Sequence, residues 1–595
     1  MELLALALWF GLATGLVEAA EILVARQFRW TYWESTFHGH SLEIVWICTL
    51  FDLLLFGVLG LATGAAARYA RGSLPARTCL WGAIFLATFD WLIPVLFSHV
   101  RGWAIAILAA GLATSTYQCI SRYQPALLRF CRRRVRWIGA AALLLVIAIQ
   151  SGLWLDERVA AAKLPAASPG MPNVLFIVVD TRRADHLSCY GYSRCTSPAL
   201  DGIARQGVLF ENAISPSSWT QPAHASLLTG RYPHEHQAET APLDNRFPTL
   251  GEAMCERGYR TGAFSANPQF FTRVQGFGRG FLRFEDRYHS AAAMAKCTVY
   301  GRLFSAYGLP RLGFVDDPTR KRAADVNRAL FRWLDQDRTR PCFAFLNYFD
   351  VHEPFLPPEP FRSRFSKPGD AVPSAESLSG ASVRERQSVT DAYDNCVAYV
   401  DQYLSELFRG LQERGMAANS VVVVTSDHGE LLGEHGLRSH GNALYRELVH
   451  VPLLIWWPGH LPAGVRVAQP ASTKALAATL MDIVGSEGDA PFPGPSLTCL
   501  WRDPGASDRY PHPVSELGYF PRHPIEFPSH YGAAKSLVTP KWHLIVHDKL
   551  GAELYDWKDD PRESRNLAAG ADGQRLGAEL IEMSSRDSAV SPVLR

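Results

Sequence analysis

The chain has 595 residues, with 59 Lys and Arg against 57 Asp and Glu, a net charge of +2 and 48% hydrophobic residues. Residues 1–155 carry 12 Arg, no Lys and seven acids, a net +5, whereas residues 156–595 carry 47 basic and 50 acidic side chains, a net −3. The split excludes a uniformly globular chain and general disorder, and without a strong positive field no nucleic-acid partner is expected.

The first part holds five apolar runs, at residues 3–24, 43–66, 79–98, 102–118 and 137–155. Each approaches the ~20 residues that cross a bilayer core as helix, so five transmembrane helices and an integral membrane protein are predicted. A cleaved signal peptide is a poor reading of residues 1–24, which lack a basic start and precede four further runs. The second and fourth connections carry Arg68, Arg71, Arg77, Arg122, Arg129, Arg132, Arg133, Arg134 and Arg136; the first and third hold only Arg26, Arg29 and Arg101. Nine against three places the N-terminus in the cytoplasm and everything after Trp154 outside, periplasmic or extracellular. Asp52 and Asp90 lie inside their runs, where a carboxylate needs a partner; a headgroup contact and a packing role are both open. Glu18 and Glu21 are placed near a helix end. Of the 11 cysteines, Cys189 and Cys195 are the nearest outer pair, and an external location permits a disulfide between them.

The expected plan is a transmembrane region at 1–155, a linker at 156–171, a catalytic domain at 172–500 and a C-terminal subdomain and tail at 501–595. Asn173–Val179 is a continuous apolar, β-branched run ending at Asp180, which predicts a strand buried on both faces and therefore parallel. The same pattern recurs at 342–346, before Asn347 to His352, and at 421–424, before Thr425 to Glu430. Helix-like stretches at 323–334 and 391–414 lie between them. Alternation of this kind predicts an α/β domain with a mostly parallel central sheet and its ligand site at the strand C-termini. Residues 361–388 are predicted as a surface loop, and 542–547 with 553–557 as strands of a small antiparallel subdomain.

Three strand ends deliver Asp180, His352 and Asp427-His428 to one rim. Two carboxylates and an imidazole suit a divalent cation of intermediate hardness. Between them in sequence stands Trp219-Thr-Gln-Pro-Ala-His-Ala-Ser-Leu-Leu-Thr-Gly-Arg231, a loop with Pro222 leading into a helix, which places Thr220 beside a helix N-terminus. This segment is similar to the sulfatase signature at Pro222, Ala223, Leu228, Thr229, Gly230 and Arg231. Similar stretches recur at 180–187, 189–192, 352–354, 426–430, 433–436, 439–441, 554–556, 560–561 and 566–567. The chain thus resembles the sulfatase family of the alkaline phosphatase superfamily over about residues 172–570. In layout it is also similar to lipoteichoic acid synthases and phosphoethanolamine transferases, which place five membrane helices before an external catalytic domain.

Thr220 stands where sulfatases carry the Cys or Ser converted to formylglycine, so no formylglycine is expected. His224 replaces the signature arginine, and Thr181 the second aspartate of the opening pair. The resemblance implies a metal-dependent hydrolase or phosphotransferase. Asp180, Asp427, His428 and Thr220 would hold a divalent ion, with Zn, Mn and Ca all admissible. Thr220 would be the nucleophile, forming a covalent ester; His352 or His440 would protonate the leaving group, and His224 and Arg183 would bind the anionic oxygens. Structural roles for Arg183, His224 and His440 remain open, and His435 is read as a turn residue. The expected substrate is a phosphate or sulfate ester, on a lipid-linked or envelope molecule. Alternatives are a sulfatase working without formylglycine, another hydrolase of the superfamily such as a phosphonate monoester hydrolase, and a noncatalytic membrane receptor or assembly module. Loops at 268–320 and 361–388 are expected to contact the rest of the substrate.

Overall fold

The computed structural model describes residues 2–28, 42–69, 74–97, 99–286, 290–312, 314, 320–366, 382–485, 491–503 and 505–587. The chain forms two compact units: Met1–Ala162 with Arg287–Arg320, and Lys163–Asp286 with Lys321–Arg595.

The first unit is helical: α1 (Glu2–Phe28), α2 (Glu43–Ala66), α3 (Leu74–Leu96), α4 (Gly102–Ile120) and α5 (Gln124–Ala162). Runs of Leu, Ala and Ile favour helix, and helix satisfies every interior backbone group without water. α1 and α2 approach closely because Gly11 and Gly15 face α2. A Cβ on Gly15 would meet Thr49 Cα at 2.5 Å, and one on Gly11 would meet the Asp52 carbonyl at 2.8 Å. Among the described residues, four stretches are long and apolar enough to cross a membrane: Glu2–Val24, Glu43–Ala66, Leu74–Leu96 and Gly102–Ala162.

The expected count of five is therefore corrected to four. The reason lies in the arginine-rich connection 122–136, which is not an extended loop. A short 3₁₀ turn, Ser121–Tyr123, leads from α4 directly into α5, so the fourth and fifth apolar runs share one helical stretch. Arginine is a good helix former, and charge alone does not break a helix. On α5, Arg132 pairs with Glu2 at 3.0 Å and Gln150 donates to Glu43 at 2.8 Å. Arg29 and Arg71, used in the orientation argument, lie outside the described residues.

The second unit is built on a sheet ordered β8-β2-β7-β6-β1-β5-β3-β4, from β1 (Asn173–Val179), β2 (Val208–Ile214), β3 (Arg260–Ser265), β4 (Arg283–Glu285), β5 (Cys342–Tyr348), β6 (Ser420–Thr425), β7 (His450–Trp456) and β8 (Val465–Val467). It is mixed. β1 pairs parallel with β5 and β6, whereas β7 runs antiparallel to β2 and β6. Both faces are covered, as the unbroken apolar run of β1 requires. Val174, Phe176 and Val178 pack toward Ala225, Leu227 and Leu228, while Leu175, Ile177 and Val179 pack toward Val326, Leu330, Trp333 and Leu404.

The helices behind those contacts are α6 (Thr220–Thr229), α7 (Ala323–Leu334) and α8 (Val383–Glu413). α8 starts eight residues before the predicted 391, because Ser382 caps it and Glu385 returns the bond, the two halves of a capping box. Residues 367–381 of the predicted surface loop lie outside the described residues. A second, antiparallel sheet follows in chain order: β9 (Val514–Leu517), β10 (Ala534–Val538), β11 (Trp542–His547) and β12 (Gly551–Asp556). It reaches the main sheet's rim: the Glu516 amide donates to the Pro216 carbonyl at 2.8 Å, and Ser515 Oγ to that of Ser215 at 2.6 Å. Cys189 and Cys195 are free thiols.

Candidate active site

β1 ends one residue before Asp180, β6 ends two residues before the Asp427-His428 pair, and α6 begins at Thr220. Trp219 is extended, with φ −153°, and the chain turns into helix at Thr220. Pro222 falls in the first turn, where its missing N–H has no partner to lose. Gly230 ends the helix with φ +68°, a conformation that favours glycine, and a Cβ there would also press on Phe492 at 3.2 Å. The signature residues thus fix a short, fully buried helix whose first side chain points into the rim.

Thr220 Oγ1 stands 3.2 Å from His428 Nε2. His428 Nδ1–H donates to the Gly429 carbonyl at 2.9 Å, so Nε2 is the bare nitrogen and accepts from the threonine. The same Nε2 is 3.4 Å from Asp427 Oδ2 and 3.9 Å from Asp180 Oδ1. Those two carboxylate oxygens are buried with no hydrogen-bond partner. Burial drives Asp180 up to about 6, and burial with the neighbouring Asp180 charge drives Asp427 well above the ordinary carboxylate range. Burial also pushes His428 well below its ordinary value, so it brings no positive charge. Two carboxylate oxygens with no hydrogen-bond partner, a bare imidazole nitrogen and a hydroxyl converge. This donor set fits a divalent ion, with Asp180, Asp427, His428 and Thr220 as the residues that would hold it.

His440 lies beside His428, with ring centroids 4.5 Å apart, and its Nδ1 is 3.0 Å from Glu430 Oε1. Burial opposes a charge on His440, but Glu430, Asp180 and Glu353 outweigh it and hold the imidazole above its ordinary value. His352 meets His440 edge-on at 5.0 Å and donates from Nδ1 to the Glu353 carbonyl at 2.8 Å.

His224 and Arg183 sit differently from the expectation that they bind substrate oxygens. His224 is fully buried against Phe271, Phe277 and Phe345, and burial lowers it to about 4. Its Nδ1–H donates to the Thr220 carbonyl at 2.9 Å and its Nε2 accepts from Asn347 at 3.3 Å. A neutral ring with both nitrogens engaged is a support for α6, not an anion-binding cation.

The Arg183 guanidinium forks onto Asp185 at 2.9 and 2.8 Å and reaches Glu434 at 2.7 Å and the Glu430 carbonyl at 3.0 Å. It lines a cavity of about 710 Å³ with Asp185, Glu434, Arg446 and Arg466, a wall that includes none of Thr220, Asp427 and His428. Arg183 therefore braces the 430–434 loop that carries Glu430. Arg183→Ala is expected to cost about 1–3 kcal/mol in urea unfolding, discounted because Asp185 is half exposed, with KM nearly unchanged. A tenfold rise in KM at unchanged stability would instead put Arg183 on the substrate.

Asn267, Asn347 and Glu430 escaped the sequence reading. Asn267 Nδ2 donates to Asp180 Oδ2 at 2.8 Å, and its amide donates to Asn347 Oδ1 at 3.0 Å. Asn347 is the penultimate residue of β5, a strand the sequence did reveal, so its position near the rim was a usable signal. Asn267 follows β3, which lacks a recognisable apolar run. His435 has φ +53° and stacks on Tyr445 at 3.7 Å, outside this cluster.

The sulfatase family profile matches residues 172–486, and a second profile, described as N-sulphoglucosamine sulphohydrolase, C-terminal, matches 433–587. The chain is 24% identical over 432 residues to the uncharacterized sulfatase YidJ of Escherichia coli, covering 67% of this chain and 83% of that protein. It is 24% identical over 490 residues to the N-acetylglucosamine-6-O-sulfatase of Bacteroides thetaiotaomicron, covering 69% and 85%. Among solved structures, the phosphonate monoester hydrolase of Agrobacterium radiobacter superposes with a TM-score of 0.56 at 22% identity, covering 70% of this chain and 96% of that one. The chain belongs to the sulfatase family, within the alkaline phosphatase superfamily, and is an ester-hydrolysing enzyme.

Proposed function

We propose that the protein is a membrane-anchored hydrolase or transferase that cleaves phosphate esters through Thr220, on lipid-linked or envelope substrates outside the cytoplasm. One observation carries the reading: the signature's nucleophile position is a threonine, and its hydroxyl faces His428 Nε2 beside two unpartnered carboxylate oxygens. A formylglycine hydrate can release sulfate by collapsing to its aldehyde. A threonine ester has no such exit and must be cleaved by attack on phosphorus or sulfur, the ordinary route for phosphoryl transfer.

When bound, a divalent ion would supply the positive charge that lowers the hydroxyl pKa and polarises the ester oxygens. Thr220 Oγ1 loses its proton to solvent water and bonds to phosphorus as the bond to the leaving oxygen breaks. His440, whose hold on a proton Glu430 strengthens, donates to that oxygen, and His352 packs against His440 as the alternative donor. The reverse transfer takes a proton from water or an acceptor alcohol, whose oxygen displaces Thr220. His224 holds the Thr220 carbonyl and so sets the first turn of α6. The four apolar stretches and the skewed arginines support the anchor and an extracytoplasmic catalytic unit.

A second reading, sulfate-ester hydrolysis without formylglycine, is favoured by the family match and by the sulfatases among the relatives. Full-length protein loaded with Mn, Zn or Ca and assayed on aryl phosphodiester, phosphomonoester, phosphonate monoester and sulfate substrates separates the two. Highest kcat/KM on a phosphate ester is expected, and turnover of sulfate alone would overturn the phosphoryl reading.

A further inference from the structure

A second convergence of carboxylates lies in the helical unit. Glu18 on α1, Asp52 on α2 and Asp90 on α3 are 0%, 2% and 0% exposed, and one oxygen from each lies within 4.8 Å of the others. Glu18 is not at a helix end, as the sequence suggested, but deep in the 27-residue α1. Its Oε1 accepts the Val299 amide at 2.5 Å. Glu18 Oε2, Asp52 Oδ2 and both oxygens of Asp90 are buried with no hydrogen-bond partner.

Counter-charge is missing from the three helices themselves. α2 has no basic residue; Arg26 on α1 is eight residues beyond Glu18, about 12 Å along the axis, and Arg77 on α3 is thirteen before Asp90, about 20 Å. Ionised carboxylates in so apolar a setting require a paired charge, and the glycine-mediated contact brings α1 close against α2 beside them.

We propose that Glu18, Asp52 and Asp90 form a cation site for a hard divalent ion of the calcium class. An all-oxygen set selects a hard cation over zinc or copper. Ca²⁺ accepts about six to eight oxygens in flexible geometry, which suits carboxylates brought together from three helices, whereas Mg²⁺ prefers a tighter octahedron that keeps several waters. Asp90 offers two oxygens and Glu18 and Asp52 one each, leaving places for water or backbone carbonyls. A monovalent ion would leave two negative charges buried, and Ca²⁺ leaves one, faced by the Val299 amide. The ion would join α1, α2 and α3 and, through Glu18 and Val299, the short helix Val299–Leu303.

The test is Ca²⁺ stoichiometry on full-length protein in lipid nanodiscs, stripped with chelator and dialysed against radioactive Ca²⁺. Asp427→Asn, which disables the catalytic cluster, is expected to keep one Ca²⁺ per chain and a Ca²⁺-dependent rise in thermal midpoint. Asp90→Asn and Asp52→Asn are each expected to bind one Ca²⁺ fewer than wild type. An Asp427→Asn protein that binds none would overturn the proposal, even if the Asp90 and Asp52 variants fail to fold. So would undiminished stoichiometry in either of those variants, or a protonated-carboxyl infrared band in wild type that persists at saturating Ca²⁺ and vanishes in Asp90→Asn, which would assign the cluster a proton.

Discussion

Thr220→Ala is expected to lower kcat by at least about 10³-fold, the scale seen when a covalent nucleophile is removed, while fold and bound metal persist. The side chain is the first of α6, and Ala is a better helix former than Thr, so the helix itself should not suffer. The variant loses the hydroxyl 3.2 Å from His428 Nε2 but keeps Asp180, Asp427 and His428 as ligands. Thr220→Ser, which restores a hydroxyl without the methyl, should recover activity. Loss of the methyl alone cannot therefore explain a dead Thr220→Ala enzyme. Undiminished turnover in Thr220→Ala would remove Thr220 from the chemistry.

Asp427→Asn carries the second large effect, and its sign depends on the metal. In wild type, metal held at 1,000 times its Kd should stabilise the fold by about 4 kcal/mol, and chelation should remove that gain together with activity. In Asp427→Asn the gain from Mn²⁺ or Zn²⁺, added with Ca²⁺ held constant, should fall below about 1 kcal/mol and activity should not return on adding metal. Without metal the order reverses. Asp427 is then a buried carboxylate raised by burial and by Asp180, and a neutral Asn removes that repulsion, so the variant should be at least as stable as stripped wild type. Thermal unfolding with and without chelator reads both arms. A variant destabilised equally in both conditions would show Asp427 to be a packing residue.

How much of this was legible in the sequence depended on how each element buries its side chains. β1 and its parallel partners β5 and β6 are interior strands, and their unbroken Val, Ile, Leu and Phe runs announced both the strands and the rim at their ends. β7 was invisible because His450-Val-Pro-Leu carries a proline that argues for a sheet edge. The structure admits it in the interior because the β2–β7 register shifts between Phe210 and Ala213, opposite Pro452, so no ladder bond is asked of the missing N–H. β2 and β3 were hidden by Glu211, Asn212 and Gly262, which interrupt an apolar pattern.

The metal-type cluster could be found because each of its ligands follows a motif at a strand end or helix start. The roles of Arg183 and His224 could not. Their residue types suit anion binding, and only the partners show otherwise: Asp185 and Glu434 for the first, the Thr220 carbonyl and Asn347 for the second. Charge counting found the arginine-rich connection but not that it would continue as helix, which is why the number of apolar stretches came out one too high.

The central claim is a covalent ester on Thr220, and the most direct measurement is accurate-mass analysis of the Thr220 peptide after acid-quenching the enzyme during turnover of an aryl phosphodiester. The account predicts a phosphoryl-ester adduct on Thr220 in wild type, accumulating further when His440→Gln slows its breakdown, and none in Thr220→Ala. An unmodified Thr220 peptide throughout turnover, or an adduct on any other residue, would contradict it.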